Sequence, residues 1–106
     1  LAGNERIALG SLSLGASGLI SGLATAVPEP FVRLCDAFFS GDIAQAQIEQ
    51  KRINALLDLM PAGARIGALK SLLEQRGIDA GPPVPPRPAL TPEEWPAWPD
   101  FARLLD

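Results

Sequence analysis

The 106-residue chain has no histidine and no tyrosine, and its one cysteine is Cys35. With neither imidazole nor phenol available, a Ser-His-Asp triad, a histidine metal site and a tyrosine proton shuttle are all excluded. A single thiol likewise excludes an intrachain disulfide and a cysteine-based zinc site. Basic residues are scarce and scattered. Nine Lys and Arg stand against twelve Asp and Glu, a net charge of −3, so the positive field of a nucleic-acid binder is missing. What remains is an ordinary globular composition, 47% hydrophobic and 20% charged, rather than a disordered one. The length suits one small domain, with a core that buries roughly 65% of the unfolded surface.

Charge is also absent from the run Ile7 to Pro28. Its length invites a membrane-spanning helix, and Gly18 and Gly22 match a small-xxx-small pairing pattern. Gly10, Ser11, Ser13, Gly15, Ser17, Ser21 and Thr25 argue against it, because they leave the run only weakly apolar. No Lys, Arg or Trp anchors flank both ends. The spacing predicts instead a short helix capped by Asn4, carrying Ile7, Leu9, Leu12 and Leu14 and closed by Gly15. Ala16 to Ser21 then reads as a buried strand of a parallel sheet. Gly22 to Ala26 reads as a loop of small residues like those at the ligand end of an α/β barrel.

The middle of the chain is helical by pattern. Phe31, Leu34, Cys35 and Phe38 share a face of a helix that Pro28 begins and Gly41 stops. Asp42 caps the next helix, which runs to Met60 with Ile43, Ala46, Ile53, Leu56, Leu57 and Met60 as its stripe. Gln45, Gln47, Glu49, Gln50, Lys51 and Arg52 form its expected solvated face. A third helix, about 64–76, turns Ile66, Leu69, Leu72 and Leu73 inward and ends at Gly77. Residues 79–88 are a proline-rich extended strap, and Thr91-Pro92-Glu93-Glu94 is a helix start. Pro96 and Pro99 should keep the last segment, Phe101 to Leu105, short and kinked. Cys35 reads as a small buried hydrophobe.

Taken in order, these pieces resemble the dihydrodipicolinate synthase / N-acetylneuraminate lyase family. Gly3-Asn4-Glu5 matches its G-[DN]-[DE] turn, and Leu14 to Ser21 its GA-x-G-x-IS strand. Val27-Pro28-Glu29 matches the helix that opens with Pro. Phe38-Phe39-Ser40-Gly41-Asp42 is similar to the family's helix-to-helix turn, and Lys70 with Arg76-Gly77-Ile78 to its later helix and exit. Pro85-Pro86 sits where members carry a proline-rich strap. The resemblance implies a mainly α chain: the C-terminal part of a (β/α)8 TIM barrel, with at most its last one or two strands, plus the family's C-terminal helical region. On that expectation 1–27 ends the barrel, 28–78 is a three-helix region and 79–106 holds the strap and a short terminal helix. A barrel takes about 250 residues, so the chain, which opens on Leu1, is expected to be the last third of a longer protein. Its eighth strand, short of barrel partners, should join another chain or refold.

The activity implied is that of a class I lyase or aldolase forming a Schiff base with pyruvate or a related 2-oxo acid. The family's lysine and tyrosine would precede Leu1, so no catalytic residue, cofactor or metal site is expected here, and this piece should be inactive alone. Lys51 reads as solvated, and Lys70 matches a family lysine that is not the nucleophile. By matching position, Ile20 would pack against the pyruvyl–lysine adduct and Gly3 would approach the oxo acid through its backbone. Asn4, Glu5 and Ser21 would reach the distal part of the substrate. Each has an ordinary reading beside it: a turn for Gly3, local hydrogen bonding for Ser21, a first-turn acid for Glu5. Residue type alone favours those ordinary readings, and the spacing of sixteen between Glu5 and Ser21, shared with the family, brings the site reading level with them. Thr25 stands where the synthase branch has Asn, which leaves the substrate branch open. The resemblance further implies a cytoplasmic homo-oligomer, a tetramer in the parent, with no nucleic-acid or membrane partner. The competing reading is a non-enzymatic helical module whose proline-rich segment is a ligand for an SH3-type groove.

Overall fold

The computed structural model describes residues 1–61, 65–79, 81, 93 and 95–105. A 3-10 turn, Glu5–Ile7, leads into α1 (Ala8–Ser13), followed by α2 (Leu23–Ala26), α3 (Glu29–Phe39), α4 (Ile43–Asp58), α5 (Arg65–Gln75) and α6 (Trp98–Leu105). The body is the antiparallel pair α3 and α4. Their short connection works because Gly41 adopts φ +86°, a left-handed conformation open to glycine at no steric cost. Asp42 then accepts from the Gln45 N–H at 3.1 Å and caps α4. Leu34, Ile53, Leu56, Leu72 and Phe101 are all but inaccessible and form the centre of one core. The exit of α5 is a left-handed glycine cap, with Gly77 at φ +92° and the Ile78 N–H reaching back to the Leu73 carbonyl at 2.8 Å. Two guanidiniums, Arg33 and Arg52, dock the end of α6 by donating to the Leu105 carbonyl at 2.7 and 3.0 Å.

The helices expected over the middle of the chain are present within a residue or two, and the short helix closed by Gly15 is there as a 3-10 turn plus α1. Several expectations need correcting. The strand over Ala16–Ser21 is reduced to one parallel bridge, Ala2 to Leu19. Ala2 donates to the Gly18 carbonyl at 3.0 Å and Ile20 donates to the Ala2 carbonyl at 2.8 Å. A strand needs a partner along its length, and among the described residues only Ala2 provides one. The small-residue loop after it contains a helical turn, α2, which buries Leu23 and Ala26. The face of α4 expected in water is not wholly so: Glu49 is fully buried and Gln50 half-buried, while Ile43, expected inward, is 44% exposed. Ile7 and Leu14, also expected to pack, are largely exposed. Pro99 lies in the first turn of α6, where a missing N–H costs nothing, so it starts the helix rather than kinking it.

Nearly all of the proline-rich strap and of the helix start at Thr91 falls outside the described residues. Cys35 is half-buried against the core, and burial pushes its thiol pKa up, with Asp36 adding to the effect. Among the described residues no helix is long and apolar enough to cross a membrane.

Candidate functional site

The parallel bridge brings the two ends of the first quarter of the chain together. Gly3, Asn4, Glu5, Ile20 and Ser21, all five residues singled out from the sequence, line one shallow depression too tight to hold a water molecule. Glu5 is its organiser. One oxygen, Oε2, accepts from the Ser21 hydroxyl and, at 3.0 Å, from the Leu23 N–H. The Ser21 Oγ in turn accepts from the Ala24 N–H at 3.1 Å. Together the two side chains satisfy the first free N–H groups of α2, which is why a run of small residues coils there. The spacing of sixteen between Glu5 and Ser21 is therefore a direct contact.

The other three residues differ in how the chain uses them. Asn4 caps the 3-10 turn, its Oδ1 accepting from the Arg6 N–H at 3.2 Å. Gly3 has no positive φ, and a Cβ there would meet nothing within 4 Å. The chain's own fold thus gives no reason for glycine at that position. Ile20 is 64% exposed, an apolar side chain presented at the mouth of the depression. Beside the depression a mainly apolar cleft of about 260 Å³ runs along α3, lined by Leu19, Ser21, Ala24, Phe31, Cys35 and Asp36 among others.

Two further residues belong to this wall, and sequence reading missed both. Gln50, on α4, donates to the Glu5 carbonyl at 2.9 Å and accepts from the Leu9 N–H at 2.9 Å, so one amide holds the 3-10 turn and α1 together. Arg65, at the start of α5, places Nη1 3.4 Å from Glu5 Oε1. Further out, Arg76 braces the far end of α2. It donates to the Ala26 carbonyl at 2.6 Å and makes a bidentate pair with Glu29 at 3.0 and 2.6 Å. The same guanidinium lies 4.0 Å from the Trp98 ring centroid. The Arg76 hydrogen bonds hold the Glu29 carboxyl below the usual carboxylate range.

Neither lysine lines the depression. Lys51 is exposed on α4, and Lys70 is half-buried on α5 with a contact of its own. Among the described residues no three His, Cys, Asp or Glu side chains converge as a metal site would require.

Comparison with known proteins fits this geometry to a family. The model of the dihydrodipicolinate synthetase family matches residues 1–103. An uncharacterized DapA-like lyase of Halobacterium salinarum is 33% identical over 82 residues, covering 77% of this chain and 27% of that protein. A 4-hydroxy-tetrahydrodipicolinate synthase of Streptomyces coelicolor is 37% identical over 83 residues, 76% of this chain and 27% of its own length. A second, from Mycolicibacterium paratuberculosis, is 36% identical over 95 residues, 87% and 31%. The chain thus spans under a third of the length of the curated relatives it matches. Among solved structures, a dihydrodipicolinate synthase-type protein of Thermus thermophilus superposes with a TM-score of 0.74 at 38% identity, over 97% of this chain and 35% of that one. The N-acetylneuraminate lyase of Proteus mirabilis, at 20% identity, shares the fold with a TM-score of 0.77, over 97% and 34%. The architecture is accordingly mainly helical, that of the C-terminal part of a (β/α)8 barrel. The chain belongs to the dihydrodipicolinate synthetase family.

Proposed function

We propose that this chain supplies one wall of the substrate site, and the helices that brace it, in a Schiff-base-forming lyase or aldolase acting on pyruvate or a related 2-oxo acid. The observation that carries this reading is the meeting of Gly3-Asn4-Glu5 with Ile20-Ser21 across the Ala2–Leu19 bridge. In such a reaction a lysine amine attacks the ketone carbon of the 2-oxo acid and water leaves, giving an imine. The imine survives where water is kept away, and the exposed Ile20 side chain suits that task. Gly3, whose missing Cβ the fold does not require, suits close approach of the oxo acid to the backbone. Asn4 and Ser21 offer polar atoms to the distal part of the substrate. Glu5 is largely committed to Ser21 and Leu23, so in this reading it positions the wall.

The reacting lysine and its tyrosine partner lie outside these 106 residues, so the chain by itself is not active and needs no cofactor of its own. In this reading residues 1–27 end the barrel, 28–78 form the bracing helices and 79–106 hold the proline-rich strap and the short terminal helix. The whole works in the cytoplasm as a homo-oligomer.

Borohydride reduction in the presence of pyruvate, read by intact mass and peptide mapping, tests the proposal. A protein of full family length ending in this chain should gain one three-carbon adduct, on a lysine outside it. The 106-residue chain should gain none. An adduct on Lys51 or Lys70 contradicts the assignment.

A further inference from the structure

We infer that Arg65 is the residue by which this wall recognises an anionic group, a carboxylate or a phosphate, at the end of the substrate remote from the reacting carbonyl. The inference rests on the proposed function and names the substrate class for the same site. Two charged side chains meet at the wall, and they are not equally available. Glu5 is only 11% exposed and Arg65 is 49% exposed. The Glu5 Oε2 is already occupied by the Ser21 hydroxyl and the Leu23 N–H. Its Oε1 lies 3.4 Å from Arg65 Nη1, longer than the 2.7–2.9 Å of a strong charge-assisted bond. Arg65 therefore keeps most of its five N–H donors for another partner. A molecule reaching the wall beside Glu5 meets a guanidinium, not a carboxylate.

The surroundings sharpen this. The cation of the 3-10 turn itself, Arg6, is paired with Asp58 at 2.9 Å. Arg76 is committed to Glu29 and Ala26. From Ile7 to Pro28 no side chain carries charge, and Asp36 lines the neighbouring cleft. Arg65 is thus the available cation of this wall among the described residues. A half-exposed ion pair of this length adds little to stability, so stability alone does not account for an arginine held there. The contact with Glu5 instead sets the direction of the planar fork, which is shaped for two parallel bonds to a carboxylate or phosphate. Sequence reading could not find it, because Arg65 stands 60 residues from Glu5.

The test uses the full-family-length protein, pyruvate and three acceptor aldehydes of equal length, ending in a carboxylate, a phosphate ester or a neutral hydroxyl. Pyruvate trapping is measured in parallel for each variant and divided out, so the readout is the ratio of kcat/KM for anionic over neutral acceptors. The native protein should prefer an anionic acceptor, and Arg65→Gln should lower that ratio at least about tenfold, mainly through KM. Arg65→Lys should keep part of it, which a purely structural role would not require. Preference for one anionic acceptor over the other identifies the group. An equal ratio in native protein and Arg65→Gln, with pyruvate trapping intact, overturns the role of Arg65 and leaves the proposed function standing. Absence of pyruvate trapping in the native protein overturns the proposed function itself.

Discussion

From Glu29 to Gln75 the helices are held by apolar side chains, whereas residues 1–27 combine a smaller apolar contact, through Ala8, Leu12, Leu23, Ala26 and Val27, with polar ties from Glu5 and from α4 and α5. In the first region Leu34, Ile53, Leu56 and Leu72 interlock between α3, α4 and α5. In the second, Leu1, Ile7, Leu14 and Ile20 are each more than half exposed, and the backbone is tied down by Glu5, Gln50 and Arg76. Beyond the residues it buries, the second region thus leaves apolar side chains in the open and fixes its backbone with side-chain hydrogen bonds. That contrast is the physical basis for reading the first region as scaffold and the second as wall.

The largest test of the contrast is a pair of truncations. Leu34→Ala, in the centre of the body, should cost about 2–5 kcal/mol and lower the urea midpoint of helix loss accordingly. Ile20→Ala, at an exposed site, should stay within about 0.5 kcal/mol of the parent. Equal losses would mean that the two regions are not built differently.

Next in size is the brace between the regions. Arg76→Gln removes the bidentate pair with Glu29 and the bond to the Ala26 carbonyl and should cost about 2 kcal/mol. The same pair predicts a pH dependence. Because Arg76 holds the Glu29 pKa below its unfolded value, the pair stabilises the fold fully above the unfolded glutamate pKa of about 4.3. That contribution disappears as the pH falls through the lower folded value. Urea titrations at pH 7 and below pH 4 should therefore show a smaller Arg76→Gln effect in acid; an effect independent of pH would contradict the pairing.

How much of this was legible beforehand divides along the same line. The body could be read because its signals are local: apolar residues three and four apart, Asp42 as cap, Gly41 and Gly77 as stops. Glu49 and Gln50 were misread because residue type was weighed above position. Both fall on the buried stripe, three and four residues after Ala46 and four and three before Ile53, so α4 carries them inward whatever their chemistry. In the wall, motif spacing singled out Glu5 and Ser21 together but not the hydrogen bond between them. Gln50 and Arg65 were not legible, since they arrive from helices 45 and 60 residues away in the chain. No local pattern encodes such a meeting. Nor does an apolar run such as Ala16–Ser21 say how much of it will find a strand to pair with.

A smaller effect isolates the wall from the body. Gln50→Ala removes the bonds to the Glu5 carbonyl and the Leu9 N–H and should cost about 1 kcal/mol. Faster hydrogen exchange should appear at the Leu9 amide, while amides in the middle of α3 keep their protection. Uniform loss of protection across both would merge the two regions into one cooperative unit.

The most direct test of the central claim, that residues 3–5 and 19–21 form one wall pinned by Glu5, is hydrogen exchange at the Ile20 amide, which donates to the Ala2 carbonyl at 2.8 Å. The amide should be protected in the parent chain and lose at least about tenfold of that protection in Glu5→Ala, while Asp42→Ala, which uncaps α4, leaves it unchanged relative to global stability. An Ile20 amide that exchanges freely in the parent, or that ignores the loss of Glu5, would contradict the account.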